Sequence, residues 1–295
     1  MNIIECSHLT HSYNKRLIYD DLSFSVPEGR ILGLLGKNGT GKTTTINIMT
    51  GFLKPQKGTV KIFGQDTAAM ADDVRARIGL LIEGHVQYSY MNISQIEKFY
   101  SAFYPKWNAE VFYELMKKLK VTPSQKISSM SNGQRSQVAL GLILAQSPDL
   151  LVLDDFSLGL DPGYRRLFSE YLRDYAKTFN KTVFLTSHII QDLERLVDDC
   201  IILDYGKILI QMPLKELNER FRIYRLHNFS GNMEALSHNK ELYHPDAMRD
   251  YVEFGSFLPP EHVKSILATA AINYSDLSSS APSLEDSFIS LTGKY

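Results

Sequence analysis

Three stretches of this chain are apolar without alternation: Ile31 to Leu35, Leu150 to Leu153, and Thr182 to Thr186. Continuous runs of this kind predict strands buried on both faces. Helically spaced segments lie between them, so an α/β fold with a parallel sheet is expected. Residues 1 to 35 predict a β-rich start, with strands at Ile3 to Cys6, Leu22 to Val26 and Ile31 to Leu35, separated by polar stretches or by Pro27-Glu28-Gly29. Gly58 to Phe63 predicts another short strand. Ile93 to Leu119 carries helical spacing, broken at Tyr104-Pro105-Lys106-Trp107, where proline cannot continue a helix. Beyond Met212-Pro213 the pattern changes. Arg222 to Leu226, Tyr251 to Phe254 and Ile272 to Leu277 predict strands, and Glu261 to Ala271 a helix. Ser278 to Pro282 reads as a loop, and Ser283-Leu284-Glu285-Asp286 opens a last helix like a capping box. This part, residues 213–295, is expected to be a small α+β accessory domain.

Between the strand Ile31 to Leu35 and a helix over Thr44 to Thr50 stands Gly36-Lys37-Asn38-Gly39-Thr40-Gly41-Lys42-Thr43, which reads G-x-x-x-x-G-K-T. A strand, a glycine-rich loop and a helix in that order form a phosphate-binding loop. Glycines let backbone N–H groups curl around phosphate oxygens, and the helix start adds partial positive charge. Lys42 is expected to reach the β/γ-phosphates and the Thr43 hydroxyl to bind Mg²⁺. A second apolar strand, Leu150 to Leu153, ends in Asp154, placed to hold the Mg²⁺ hydration shell opposite Thr43.

Charge and cysteine content narrow the class. Lys+Arg total 32 against 33 Asp+Glu, so no overall basic field holds nucleic acid. Cys6 and Cys200 form neither a disulfide framework nor a metal-ligand spacing, which fits a reducing cytosol. No apolar stretch is long enough to span a bilayer, and Met1 to Glu5 does not start a signal peptide. A soluble chain is expected, so a membrane role needs a separate membrane partner.

Met130-Ser131-Asn132-Gly133-Gln134-Arg135 opens a helix between the phosphate loop and the acidic strand. Here the chain resembles the ATP-binding-cassette (ABC) ATPases, whose signature is Leu-Ser-Gly-Gly-Gln. Ser131, Gly133 and Gln134 are kept; Met130 and Asn132 depart. Tyr13 resembles the aromatic that stacks on adenine, with Ile18 beside it. Ser157-Leu158-Gly159-Leu160-Asp161 resembles the loop that crosses the dimer interface, and His188 the histidine that contacts the γ-phosphate. The tail from Leu284 to Gly293 and the stretch Phe103 to Trp107 look like those of bacterial drug- and peptide-exporter ATPases.

The resemblance implies an ABC-type P-loop NTPase over residues 1–212, with an N-terminal β subdomain and a helical subdomain at about 84–135. It implies ATP and Mg²⁺ as ligands. Nucleotide contacts fall to Tyr13, Ile18, Asn38, Gly39, Thr40, Gly41, Lys42, Thr43 and Thr44, and to Ser131, Gly133 and Gln134 from the other protomer. Thr43, Glu83 and Asp154 would face the metal, and Lys42, Glu83, Asp155 and His188 would carry catalysis. The implied assembly is a homodimer, or a heterodimer with a sister ATPase, on a polytopic membrane permease. Its place is cytoplasmic, peripheral on the inner face of the membrane.

Two departures touch the chemistry. Asp155 stands where the family usually has Glu, the base for the attacking water, and is one methylene shorter; reach precedes pKa in base catalysis. Glu83 stands where most members carry Gln, as is familiar in exporters of lantibiotic- and bacitracin-type peptides. Slow hydrolysis is therefore expected. The alternatives are a nucleotide-gated regulatory subunit in a heterodimer, and a soluble ABC ATPase outside transport. Against the last stand a single cassette, no long heptad run and no basic excess.

Overall fold

The computed structural model describes residues 1–82, 88–157 and 160–294. They form two compact units, Met1–Gln211 and Met212–Tyr295. In chain order the first unit holds β1 (Asn2–Tyr13), β2 (Arg16–Pro27), β3 (Ile31–Gly36), α1 (Lys42–Met49), β4 (Lys57–Ile62), β5 (Gln65–Asp66), α2 (Asp72–Arg75) and β6 (Ile78–Leu81). It continues with α3 (Ile93–Ser101), α4 (Ala109–Lys118), α5 (Asn132–Ala145), β7 (Leu150–Leu153), α6 (Pro162–Thr178), β8 (Thr182–Thr186), α7 (Ile190–Leu196), β9 (Asp199–Asp204) and β10 (Lys207–Pro213).

A six-stranded sheet runs β10-β9-β3-β8-β7-β6, with parallel pairing from β9 through β6. Its central strands β7 and β8 are buried at every position, as their unbroken apolar runs require. A second sheet, β2-β1-β4-β5, is antiparallel. The two share one core, in which Phe24 of β2 stacks on Phe184 of β8 at 6.0 Å and Ile46, Ile48 and Met49 of α1 are buried. That packing fixes α1, and with it the loop in front of it, against the strand ends. The first hairpin is longer than its apolar pattern indicated: β1 and β2 pair to Tyr13 and Arg16, because the ladder continues past the last buried side chains.

The second unit adds α8 (Leu214–Arg220), β11 (Arg222–His227), α9 (Met233–Ser237), β12 (Tyr243–Ala247), β13 (Tyr251–Ser256), α10 (Pro260–Thr269), β14 (Asp276–Ser280) and α11 (Leu284–Thr292). Its antiparallel sheet has the order β12-β13-β11-β14. Tyr224, Phe254, Val263 and Leu267 centre its core. Two expectations change here. The last strand is Asp276–Ser280, so Ser278 to Ser280 pair with β11 instead of forming a loop. Ile272 is buried but precedes the strand, in a segment bridged from Asn273 to Ser230. Ser283 caps α11 by accepting the Asp286 N–H at 3.0 Å.

Among the described residues no helix is long and apolar enough to cross a membrane. Cys6 and Cys200 are buried, and burial pushes the Cys200 thiol up to about 12.

Candidate functional site

The loop between β3 and α1 is built around glycine. Gly41 has φ +105, and a Cβ there would lie 2.6 Å from Ile18 Cγ2. Only glycine fits both the left-handed backbone and the close side chain. No side chain caps α1, and its first turn holds no acidic residue. Its uncapped N–H groups and partial positive charge suit an anion. Lys42 Nζ donates to the carbonyls of Gly36 at 2.7 Å and Lys37 at 3.2 Å. Burial drives the Lys42 ammonium below its ordinary value, opposed by the charges of Asp155 and Asp154. Thr40 is 1% exposed, and its hydroxyl donates to the Lys37 carbonyl at 2.8 Å, so its side chain braces the loop from inside.

The carboxylates come from the end of β7. Parallel register sets Leu153 beside Leu185, which carries Asp154 and Asp155 past the sheet edge next to Thr186. The Thr186 hydroxyl donates to Asp154 Oδ1 at 2.7 Å and accepts the Asp155 N–H at 2.9 Å. Asp154 is 5% exposed, and its own N–H donates to the Leu81 carbonyl at 2.7 Å. Asp155 is held at φ +51, in the left-handed region. Its side chain meets His188: the His188 N–H donates to Oδ1 at 3.3 Å, and the ring Nδ1 is in direct contact with Oδ2.

Loop and carboxylates face one cavity of about 420 Å³. Tyr13, Ile18, Asn38, Gly39, Gly41, Lys42, Thr43 and Thr44 line one part of it, and Asp154, Asp155 and His188 another. The Tyr13 ring packs edge-on against His11 at 4.9 Å, and its hydroxyl is 3.5 Å from Thr44 Oγ1. Arg16, which the sequence reading did not single out, also lines the cavity and donates to the Gly39 carbonyl at 3.1 Å. Thr186 was missed as well. The available signal was a threonine ending a buried strand beside an acidic pair.

Thr43 and Asp154 present hard oxygen donors to the same space. A hydroxyl and one or two carboxylates, completed by substrate phosphates, are the usual protein share of a Mg²⁺ site. Glu83, assigned to the metal and to catalysis, lies outside the described residues, as do Leu158 and Gly159 of the expected interface loop.

Ser131, Gly133 and Gln134 are not among the residues lining this cavity. Ser131 caps α5: its hydroxyl accepts the Gln134 N–H at 3.2 Å, and Gln134 Oε1 accepts the Ser131 N–H at 3.1 Å. That reciprocal box is a sufficient structural reason for both residues. Gly133 packs under Tyr164, where a Cβ would lie 3.0 Å from the ring. Helix α5 is further tied to α6 by Gln137, whose Nε2 donates to the Tyr164 carbonyl at 3.3 Å.

A phosphate loop at a parallel-sheet edge, facing an acidic strand end, defines a P-loop nucleotide-binding protein. Residues 19–157 match the family described as ABC transporter. The chain is 31% identical over 222 residues to an uncharacterized ABC transporter ATP-binding protein, YhcH, of Bacillus subtilis, spanning 73% of this chain and 72% of that one. It is 29% identical to the bacitracin transport ATP-binding protein BcrA of Bacillus licheniformis, over 99% of this chain and 97% of that one. The Nod factor export ATP-binding protein I of Rhizobium meliloti is 30% identical, over 99% and 88%. A solved structure described as an ATP binding subunit of an ABC transporter superposes with a TM-score of 0.65 at 25% identity, covering 74% of this chain and 92% of that one. This chain belongs to the ABC transporter ATP-binding family.

Proposed function

We propose that the chain is the ATP-binding and hydrolysing subunit of a bacterial ABC exporter, coupling ATP-driven closure of a dimer to movement of a separate membrane permease. The observation that carries this reading is the single cavity in which Lys42 and the loop face Asp154, Asp155 and His188. Phosphoryl transfer needs mainly positioning and charge stabilisation, and these groups supply both. Lys42 and the α1 N-terminus would hold the phosphates. Asp155 would orient the attacking water and accept its proton, with His188 and Thr186 holding Asp155 in place. Bound Mg²⁺ would neutralise charge building on the phosphates, held by Thr43 and Asp154. Ser131 and the N-terminus of α5 would complete the site of a second copy or of a sister ATPase, because they lie off this chain's own cavity.

Relatives named for bacitracin transport and for Nod factor export, matched over nearly the whole chain, favour the exporter class. The permease contact is assigned to the segment from Glu83 to Asn92. Tyr88 and Tyr90 within it are 41% and 70% exposed, and they join Phe99 and Phe103 in an exposed aromatic group. Through that partner the chain would sit at the inner face of the cell membrane. The C-terminal unit, Met212–Tyr295, would be an accessory domain.

A regulatory subunit of weak turnover is the second reading, favoured by the short Asp155 and its contact with His188. Mg·ATP turnover by the purified chain, alone and with its permease, tests the first reading against the second. Turnover that requires Lys42 supports the enzyme. Nucleotide binding with no turnover in either state supports the regulator.

A further inference from the structure

Helices α6 and α7 enclose a second cavity of about 300 Å³, none of whose lining residues lines the nucleotide cavity. One face of α6 supplies Arg165, Ser169 and Arg173 at four-residue spacing, with Arg166 beside them. Residues so spaced stand one above another on a helix. Arg195 and Asp192 of α7 face the same space. A helical face turned towards a neighbouring helix is normally apolar; this one is cationic.

The charges do not cancel. Arg166 pairs with Glu170 at 2.7 Å, and Arg165 Nη1 lies 3.6 Å from Asp192 Oδ2. Arg173 Nη1 donates to the backbone carbonyl of Arg195, which leaves its charge unneutralised. Four arginines against two carboxylates leave two positive charges in excess around the cavity. Two hydrogen-bond donors are also unsatisfied among the described residues. The Ser169 hydroxyl belongs to a side chain only 8% exposed and has no partner among them, and neither has the buried Arg165 Nε. Buried donors are normally paired. Asp192 Oδ2 is an unsatisfied acceptor at the same place, but it lies within the field of Arg165.

We propose that this cleft binds a phosphate-type dianion: free phosphate or the phosphate group of a small monoester. Guanidinium forks match the geometry of phosphate oxygens. A phosphate monoester carries close to two negative charges at neutral pH, which equals the excess on the walls. The volume lies at the lower end of small-molecule sites. The Ser169 hydroxyl and Arg165 Nε would donate to the bound oxygens, and Arg173 and Arg195 would balance the charge.

Isothermal titration of the full chain with inorganic phosphate tests this, with the nucleotide site filled by Mg²⁺ and a non-hydrolysable ATP analogue. One bound equivalent is expected. Arg173→Gln and Arg195→Gln should each weaken it on the order of tenfold, the worth of a charge-assisted hydrogen bond. Ser169→Ala, which leaves every charge in place, should weaken it several-fold and serves if an arginine variant does not fold. Glycerol phosphate competing for the same equivalent assigns the monoester class, and lack of competition assigns free phosphate. No bound equivalent, or one indifferent to all three changes, would overturn the proposal. So would binding of a glutamate-rich peptide without binding of phosphate, which would give the cleft to a protein partner.

Discussion

Asp155 and His188 are bound to each other twice, by contact of the His188 ring with Asp155 Oδ2 and by the His188 N–H donating to Oδ1 at 3.3 Å. They follow two adjacent strands, β7 and β8, and the Thr186 hydroxyl joins the same cluster from below. The carboxylate expected to act as base is therefore held by His188 and Thr186 in the cavity that the phosphate loop also lines. Its side chain is one methylene shorter than the family's usual glutamate. Reach, rather than presence, of the base sets the expected rate.

Asp155→Glu should accordingly raise steady-state turnover. The change has a structural drawback, because position 155 is left-handed at φ +51 and Asp tolerates that region better than Glu. Stability should fall by about 1 kcal/mol, the scale of left-handed strain. Phosphate release and urea unfolding on the same variant read both effects. Lower turnover in the glutamate variant would mean that the pocket has been rebuilt around aspartate.

Thr186→Val keeps the shape of a buried strand end and removes the hydroxyl that Asp154 and Asp155 share. Turnover should fall at least tenfold with nucleotide affinity largely retained. Hydrogen bonds to charged groups contribute about 1.5–3 kcal/mol, so stability should drop within that range. Parent-level turnover in this variant would remove Thr186 from the site.

Dimerisation should depend on nucleotide. Ser131 caps α5 and does not line the cavity that holds Lys42; in the proposed closure the two would meet across chains. Asp155→Asn with Mg·ATP should yield a dimer by light scattering, alone or with a sister ATPase, and a monomer without nucleotide. A monomer under every condition would contradict the closure model.

Photocrosslinkers at Tyr88 or Tyr90 should capture the permease, since both side chains are exposed beside Phe99 and Phe103. Equal exposure also suits aromatics that merely cover the helical region. Crosslinks mapping only to another surface would discard the assignment.

Much of this fold was legible because it is stated redundantly. β7 and β8 are unbroken apolar runs since both faces of the sheet are covered. The loop from Gly36 to Thr43 needs glycine at fixed places. The edges of the C-terminal sheet were not legible. β12 carries His244, Pro245 and Asp246, and β14 is largely serine. An edge strand gains its ladder from one neighbour and needs few apolar side chains, so neither periodicity nor propensity marks it. Arg16 and Thr186 were hidden for another reason. Their partners, Gly39 and the Asp154–Asp155 pair, are brought to them only by the hairpin and by the β7–β8 register.

In the proposed function this cavity hydrolyses ATP with Asp155 as the base. Steady-state phosphate release with Mg·ATP, compared among the parent, Lys42→Ala and Asp155→Asn, is the decisive experiment. Measurable turnover is predicted for the parent and none for Lys42→Ala. Asp155→Asn should lose a factor on the order of 10²–10⁴, as when a positioned base is removed. A parent-level rate in Asp155→Asn would contradict the assignment of the base, and a parent-level rate in Lys42→Ala would contradict the site itself.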